Sequence, residues 1–222
     1  MTEPQTEPVK IIKTVLSRLP LYYNFLLEKR KENYKYISST VIARSLKLNN
    51  IQVRKDLACV SKQSGKPRMG FEIESLITDI EEVLGFNNLD EVVLVGAGRL
   101  GRTLLSYQGF ADYKLNIVAG FDNSLEFIGA KVNDKPILHI DKLTPIVERL
   151  NIKIGIKTVP KEAAQEVCDI MVAAGIKVIW NFAPVHLEVP DGIIIKHENL
   201  AVSLALLTQK LYSNKENNSD TQ

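Results

Sequence analysis

The sequence predicts an α/β protein: a helical head followed by a doubly wound parallel sheet with helices on both faces. Three observations carry this. Gly96-Ala97-Gly98-Arg99-Leu100-Gly101 follows the apolar run Val92-Val93-Leu94-Val95 and opens a helical pattern, as in a strand–turn–helix phosphate cradle. From residue 89 onward, apolar strands alternate with helical stretches. Charge is also divided, with 14 Lys/Arg against 5 Asp/Glu in residues 1–70 and 14 against 21 in the remainder. A basic front on an acidic body points to an anionic partner for the front alone, although a plain charged surface has the same composition.

At 222 residues the chain can hold two small domains with cores of their own. The two cysteines, Cys59 and Cys168, lie far apart without metal-ligand spacing and read as reduced packing residues of a cytoplasmic protein. No apolar run approaches the ~18 residues of a membrane span, and the polar N-terminus lacks an apolar signal core. Polar residues 1–8 and 213–222 read as frayed tails.

In chain order, residues 9–31 carry Ile12, Val15, Leu16, Leu19, Tyr23, Leu26 and Leu27 at helical spacing, with Pro20 predicting a kink. Ser38-Ser39-Thr40 supplies cap residues for a short helix bearing Ile42, Ala43 and Leu46. Lys47-Leu48-Asn49 makes a turn into a helix over residues 50–61. Gly65-Lys66-Pro67-Arg68-Met69-Gly70-Phe71 breaks helix and fits a hairpin or wing, and residues 73–84 are helical again. Strands follow at 92–95, 117–121, 152–159, 178–181 and 193–195, with helices from Leu100, near 142–150 and at 161–174. Leu200, Leu204, Leu207 and Leu211 form an apolar stripe on a last helix, which either packs on its own body or crosses to a partner subunit.

The glycine fingerprint works through backbone chemistry. Gly96 permits the tight turn, Gly98 lets the backbone approach a pyrophosphate, and Gly101 lets the helix sit close to the strand. The helix N-terminus, from Arg99 and Leu100 onward, offers unpaired N–H groups and a partial positive charge to phosphate. Asp122 lies 21 residues past Gly101, where a carboxylate accepts ribose hydroxyls and repels a 2′-phosphate. NAD(H) is therefore expected rather than NADP(H), although Asp122 also fits a cap after a strand. Thr158-Val159-Pro160 and Asn181 end further strands, where parallel sheets line their ligand crevice. His139, His186 and His197 fall in no catalytic motif, and no substrate domain follows the sheet. The residues argue against an enzyme.

On the helix over residues 50–61, Val53, Leu57 and Val60 share one face, while Ile51, Arg54, Lys55 and Ala58 share the opposite one. A recognition helix has this pattern, one face packed and the other carrying cations to phosphates and base edges. A small docking domain with a solvated charged face would share it. Arg18, Lys29, Arg30, Lys31, Arg44, Lys66 and Arg68 are candidates to neutralise phosphates, with Arg68 on the wing placed for a minor groove.

Several motifs in order extend this reading. Leu19-Pro20-Leu21-Tyr22-Tyr23, Ile37-Ser38-Ser39 and Gln52-Val53-Arg54-Lys55-Asp56-Leu57 resemble the winged-helix head of the Rex redox-sensing transcriptional repressors. Val95-Gly96-Ala97-Gly98-Arg99-Leu100-Gly101, Thr158-Val159-Pro160, Ala164-Gln165, Ala174-Gly175-Ile176 and Asn181-Phe182-Ala183-Pro184 continue the match through a Rossmann-like body, so that the resemblance covers about residues 9–212. It implies a winged-helix domain at 1–84, an NAD(H)-binding domain at 85–198, and a domain-swapped dimerisation helix at 199–222. It further implies a homodimer on operator DNA, with contacts from Ser38, Ser39 and Gln52 besides the cations, and release when NADH accumulates. Arg99 and Tyr107 match positions tied to the switch. The family's Asp in the swapped helix falls on Ala201, which predicts weaker or differently wired switching. Two other readings remain open on the residues: an NAD-dependent oxidoreductase with a helical accessory domain, and a CoA- or nucleotide-binding module with a protein-docking head.

Overall fold

A computed structural model describes residues 13–86 and 90–219. The expected tail at residues 1–8 lies outside them. The chain divides into two compact units, Met1–Asn88 and Leu89–Gln222.

The first unit is helical. The stretch expected as one kinked helix is two: α1 (Lys13–Leu16) and α2 (Leu19–Lys31). Pro20 lies in the first turn of α2, where its missing N–H costs nothing, so the proline starts a helix rather than bending one. After β1 (Tyr36–Ile37) come α3 (Ser39–Ser45) and α4 (Asn50–Val60). Ser38 Oγ accepts from the Val41 N–H, and Asn49 Oδ1 accepts from the Ile51 and Gln52 N–H groups, so each helix opens on a side-chain cap. Lys66 and Gly70 then exchange backbone hydrogen bonds around a three-residue tip. β2 (Phe71–Glu72) pairs antiparallel with β1, Ile37 opposite Phe71. Gly70 has φ +86, and an added Cβ would overlap the Ile37 carbonyl, so glycine is required where the hairpin joins the sheet. α5 (Ile73–Leu84) ends on left-handed Gly85. Leu19, Leu26, Ile42, Val53, Leu57 and Ile80 are fully buried in this unit's core.

The second unit is a seven-stranded sheet in the order β5-β6-β4-β3-β7-β8-β9. Its elements are β3 (Asp90–Val95), α6 (Arg99–Ser106), β4 (Leu115–Asp122), β5 (Lys131–Val132), β6 (Lys135–His139), α7 (Leu143–Leu150), β7 (Ile154–Lys157), α8 (Ala164–Ala173), β8 (Val178–Asn181), β9 (Ile194–His197) and α9 (Leu200–Ser219). All pairings are parallel except the β5–β6 hairpin. The chain winds outward from β3 through β4 to β6, then returns to the other side of β3 with β7. The carboxyl end of β3 is thus the topological switch point, where ligands bind.

Two further features differ from expectation, and a third bears on an alternative left open. Sequence patterning misses the β5–β6 hairpin, whose Asn133 and Asp134 take positive φ in a two-residue turn between a strand of two residues and one of five. Residues 213–219 continue α9 as helix instead of fraying. Leu200, Leu204 and Leu207 stay more than 60% exposed, so the stripe does not pack on the chain's own body.

Lys157 is a charge in the core. It ends β7 at 0% exposure and donates from Nζ to the Ala164 carbonyl at the start of α8. Burial pushes its pKa down to about 8, against smaller opposing effects of Cys168 and Asp169. Between about pH 8 and 10.5 the unfolded chain holds a proton that the folded chain has released, so stability rises with pH across that window. Lys157→Met is expected to stabilise this unit by ~1 kcal/mol at pH 7 and to flatten that rise. Thermal unfolding followed by Trp180 fluorescence checks both, because Trp180 is the single tryptophan and lies in β8 of this unit.

Candidate functional site

The glycine turn closes the end of β3. Gly96 has φ +100, and a Cβ there would lie 2.8 Å from the Thr158 carbonyl carbon, so the turn tolerates no side chain. Thr158 Oγ1 donates to the Gly96 carbonyl at 2.6 Å and ties the turn to the end of β7. A Cβ on Gly101 would overlap the Gly96 carbonyl oxygen, because α6 rests directly on the turn. Gly98 differs: nothing lies within 4 Å of where its Cβ would be. The protein itself leaves that space, so the glycine suits a ligand that must approach the backbone.

Asp122 ends β4 beside this turn. Its Oδ2 accepts from the Ala97 N–H at 2.6 Å, and its Oδ1 accepts from the Ser124 N–H at 2.8 Å. Each carboxylate oxygen keeps a further lone pair for hydroxyl donors. Asp122 therefore holds the glycine loop and remains able to accept from a ribose. Gly96, Gly98, Asp122, Thr158, Val159 and Pro160 line one cavity of about 520 Å³. Phe127, Ile140, Val167 and Ile170 give it an apolar wall. The combination of cradle, carboxylate and apolar wall fits a dinucleotide.

Other expected nucleotide residues sit elsewhere. Leu100 and Arg99 are exposed on the first turn of α6. A cation at that end opposes the helix dipole, a cost that a bound pyrophosphate would offset. Asn181 is fully buried and does not line the cavity. Its amide bonds the Ala183 backbone and His197 Nδ1, so it anchors the turn after β8. Tyr107 lies at the far end of α6 from Arg99, about 12 Å of helix away. Its ring covers Gly109 and meets Phe110 edge-on, and the fold does not bring it to Arg99. Glu198 accepts from the Trp180 indole at 3.4 Å, which engages the acid nearest Ala201.

In the first unit, α4 presents the faces its pattern predicts. Val53, Leu57 and Val60 are buried; Ile51, Arg54, Lys55 and Ala58 are exposed. Ser39 opens α3, and Arg68 is at the hairpin tip with φ +65. Lys66 Nζ sits 3.1 Å from the Tyr36 hydroxyl and 5.1 Å from its ring centroid, at the base of that tip. Some expected phosphate cations are otherwise engaged: Lys29 pairs with Glu32 at 2.7 Å, and Arg30 with Glu74 at 3.7 Å.

Arg18 is a clearer correction. Its Nε and Nη2 donate to Asp56 at 2.7 and 2.8 Å, a bidentate pair between the start of α2 and the middle of α4. Tyr22 also donates to Asp56, at 2.7 Å. Burial alone would raise the Asp56 carboxyl, but the Arg18 and Tyr22 hydrogen bonds outweigh it and hold the group below its ordinary range. Arg18 therefore holds α4 in place instead of standing free for phosphate. Sequence reasoning missed Asp56. The available signal was a lone acid on the apolar face of α4, three residues after Val53 and next to Leu57.

Comparison with known proteins agrees with this division. A family model described as "CoA binding domain" matches residues 87–185, and one described as "Putative DNA-binding protein N-terminus" matches residues 10–58. A redox-sensing transcriptional repressor Rex of Treponema denticola is 41% identical over 190 residues, covering 86% of this chain and 90% of the relative. The chain belongs to the Rex family. The Rex repressor of Bacteroides fragilis is 36% identical over 209 residues, 94% of each chain. Among Rex structures, the crystal structure of RSP with β-NAD+ and operator DNA matches with a TM-score of 0.82 at 31% identity, covering 96% of this chain and 99% of that one. RSP with β-NADH matches with a TM-score of 0.80 at 30% identity, covering 95% and 98%.

The geometry separates the glycines of this Rex chain by role. Gly98→Ala is expected to leave thermal stability unchanged and to weaken NADH binding by at least ~10-fold, whereas Gly101→Ala lowers the melting temperature. Calorimetric titration and thermal unfolding of the two variants check this. Asp56→Asn is expected to cost the first unit about 3 kcal/mol at pH 7. The depressed Asp56 pKa adds stability above the unfolded value, which is lost as pH falls through the folded value. The variant's deficit should therefore shrink on acidification below about pH 4 in denaturant titrations.

Proposed function

We infer that this chain is a redox-sensing transcriptional repressor that binds operator DNA through its first unit and NAD(H) through its second. The observation that carries the reading is the open space at Gly98 beside a carboxylate with free lone pairs, in the same chain as a helix displaying Arg54 and Lys55. RSP, the Rex-family neighbour, was crystallised with β-NAD+ and operator DNA and with β-NADH. Membership of a family of named repressors, together with histidines outside any catalytic motif, supports a regulator that turns over no substrate and acts in the cytoplasm on DNA.

Function is divided among residues 1–84 for DNA, 85–198 for nucleotide and 199–222 for dimerisation. Residues 96–101 cradle the pyrophosphate, with Arg99 neutralising it. Asp122 takes the ribose, Thr158, Val159 and Pro160 close the crevice, and Asn181 positions the turn beside it. Gln52, Arg54 and Lys55 face the groove, with Ser38, Ser39, Lys66 and Arg68 along the backbone and wing. The exposed leucines of α9 support a homodimer in which this helix packs against, or swaps into, a second copy. NADH acts by linkage: it releases DNA only to the extent that it favours the dimer arrangement with lower operator affinity.

A gel shift on the promoter of the chain's own gene tests the reading. Operator binding is expected to weaken steeply with salt, to be released by NADH and restored by NAD. NADPH should not release it, because Asp122 repels a 2′-phosphate. Because the family resemblance implies an Asp where this chain has Ala201, we expect an NADH response smaller than that of RSP measured side by side, enlarged by Ala201→Asp. Salt-independent binding, or NADH consumption over a carbonyl panel, would overturn the reading in favour of a docking module or an oxidoreductase.

A further inference from the structure

The contact between Arg18 and Gln52 decides which chemical face the recognition helix shows to DNA. Gln52 lies in the first turn of α4, one turn before Asp56. With its amide turned so that both ends are satisfied, Gln52 Oε1 lies 2.9 Å from Arg18 Nη1 and 3.2 Å from both Nε and Nη2. Near-equal distances to all three nitrogens place the oxygen against the guanidinium as a whole. The negative end of the amide dipole rests on a cation. The reverse orientation would put an N–H2 group there, against donors only.

The cation cannot turn away. Two of its nitrogens are committed to Asp56, which is 3% exposed and also takes the Tyr22 hydroxyl. Arg18 stays protonated, because the Asp56 hydrogen bond raises its pKa further. Tyr22, Asp56, Arg18 and Gln52 thus form one chain of contacts from the core to the half-buried edge of α4.

We propose that Gln52 is a specificity-determining residue that presents only its N–H2 donors to the major groove, with Arg18 as the positioning residue that sequesters its oxygen. A free glutamine reads adenine with one donor and one acceptor, to N7 and N6. Gln52 held by Arg18 has its oxygen turned to the guanidinium and leads with its N–H2 group. It therefore suits an edge made of acceptors: guanine O6 and N7, or thymine O4. This rests on the operator-binding reading above.

The test uses the full-length chain and operators selected from a randomised duplex pool, with NAD present. Comparing wild type with Gln52→Ala identifies the base pair whose preference depends on Gln52. The expected result is guanine or thymine there, a loss of roughly tenfold on substitution by adenine, and near-equal affinities for all four bases in Gln52→Ala. If guanine is selected, 7-deazaguanine or 2-aminopurine, lacking N7 or O6, should weaken wild type and not the variant. Arg18→Lys keeps a cation beside Asp56 but lacks the flat guanidinium, and it should move the preference at that one position toward adenine. A uniform loss of affinity without that change would assign Arg18 a purely structural role and overturn the positioning claim. Adenine at that position in wild type, weakened both by 7-deaza-adenine and by loss of the 6-amino group, would overturn the proposal. So would a Gln52→Ala profile unchanged at every base pair, with operator binding itself intact. Failure to enrich any duplex would overturn the repressor reading, and the proposal with it.

Discussion

Gly101 sits so close to the Gly96 carbonyl that α6 and the end of β3 behave as one piece. The nucleotide cradle depends on this approach. It aims the first N–H groups of α6 into the space above Gly98. It also brings the loop within reach of Asp122, whose carboxylate binds Ala97 from the neighbouring strand. Thr158 ties the same turn to β7 on the other side. Three adjacent parallel strands thereby converge on one glycine turn, and the sheet order makes that convergence possible. A crevice opens where the winding reverses, and the turn occupies it.

The first unit solves a similar problem by a charged contact. A short helix-turn-helix has little apolar area with which to fix the rotation of its recognition helix. Asp56 supplies a directional restraint: a carboxylate at the edge of the core with three donors converging on it. Such a pair contributes modestly to net stability compared with an apolar replacement, but it is costly to break and specific in geometry. Its consequence reaches the surface through Arg18 and Gln52. A side chain that looks on sequence like one more phosphate cation instead governs the orientation of its neighbour.

Legibility followed local physics. The glycine fingerprint, the caps at Ser38 and Asn49, and the faces of α4 were readable because each depends on residues within one or two turns. The β5–β6 hairpin was not, because β5 has only two residues and β6 carries a proline among its five. Pro20 was misplaced because proline is equally compatible with kinking a helix and with starting one. Residues 213–219 look like a tail in composition, yet they continue α9, whose leucines Leu200, Leu204 and Leu207 stay exposed.

The sequence by itself determined the fold class, the place of the cradle, the buried and exposed faces of α4 and the family, because these rest on periodicity, glycine chemistry and motif order. Only the tertiary structure decided which side chains are free. Arg18 and Arg30 are the same kind of residue in the sequence as Arg54 and Lys55, and Asn181 and Asp122 both stand at strand ends. Long-range partners separate them: Asp56 lies 38 residues from Arg18, and Ala97 lies 25 residues from Asp122. Such pairings are set by packing between elements, which no local pattern encodes.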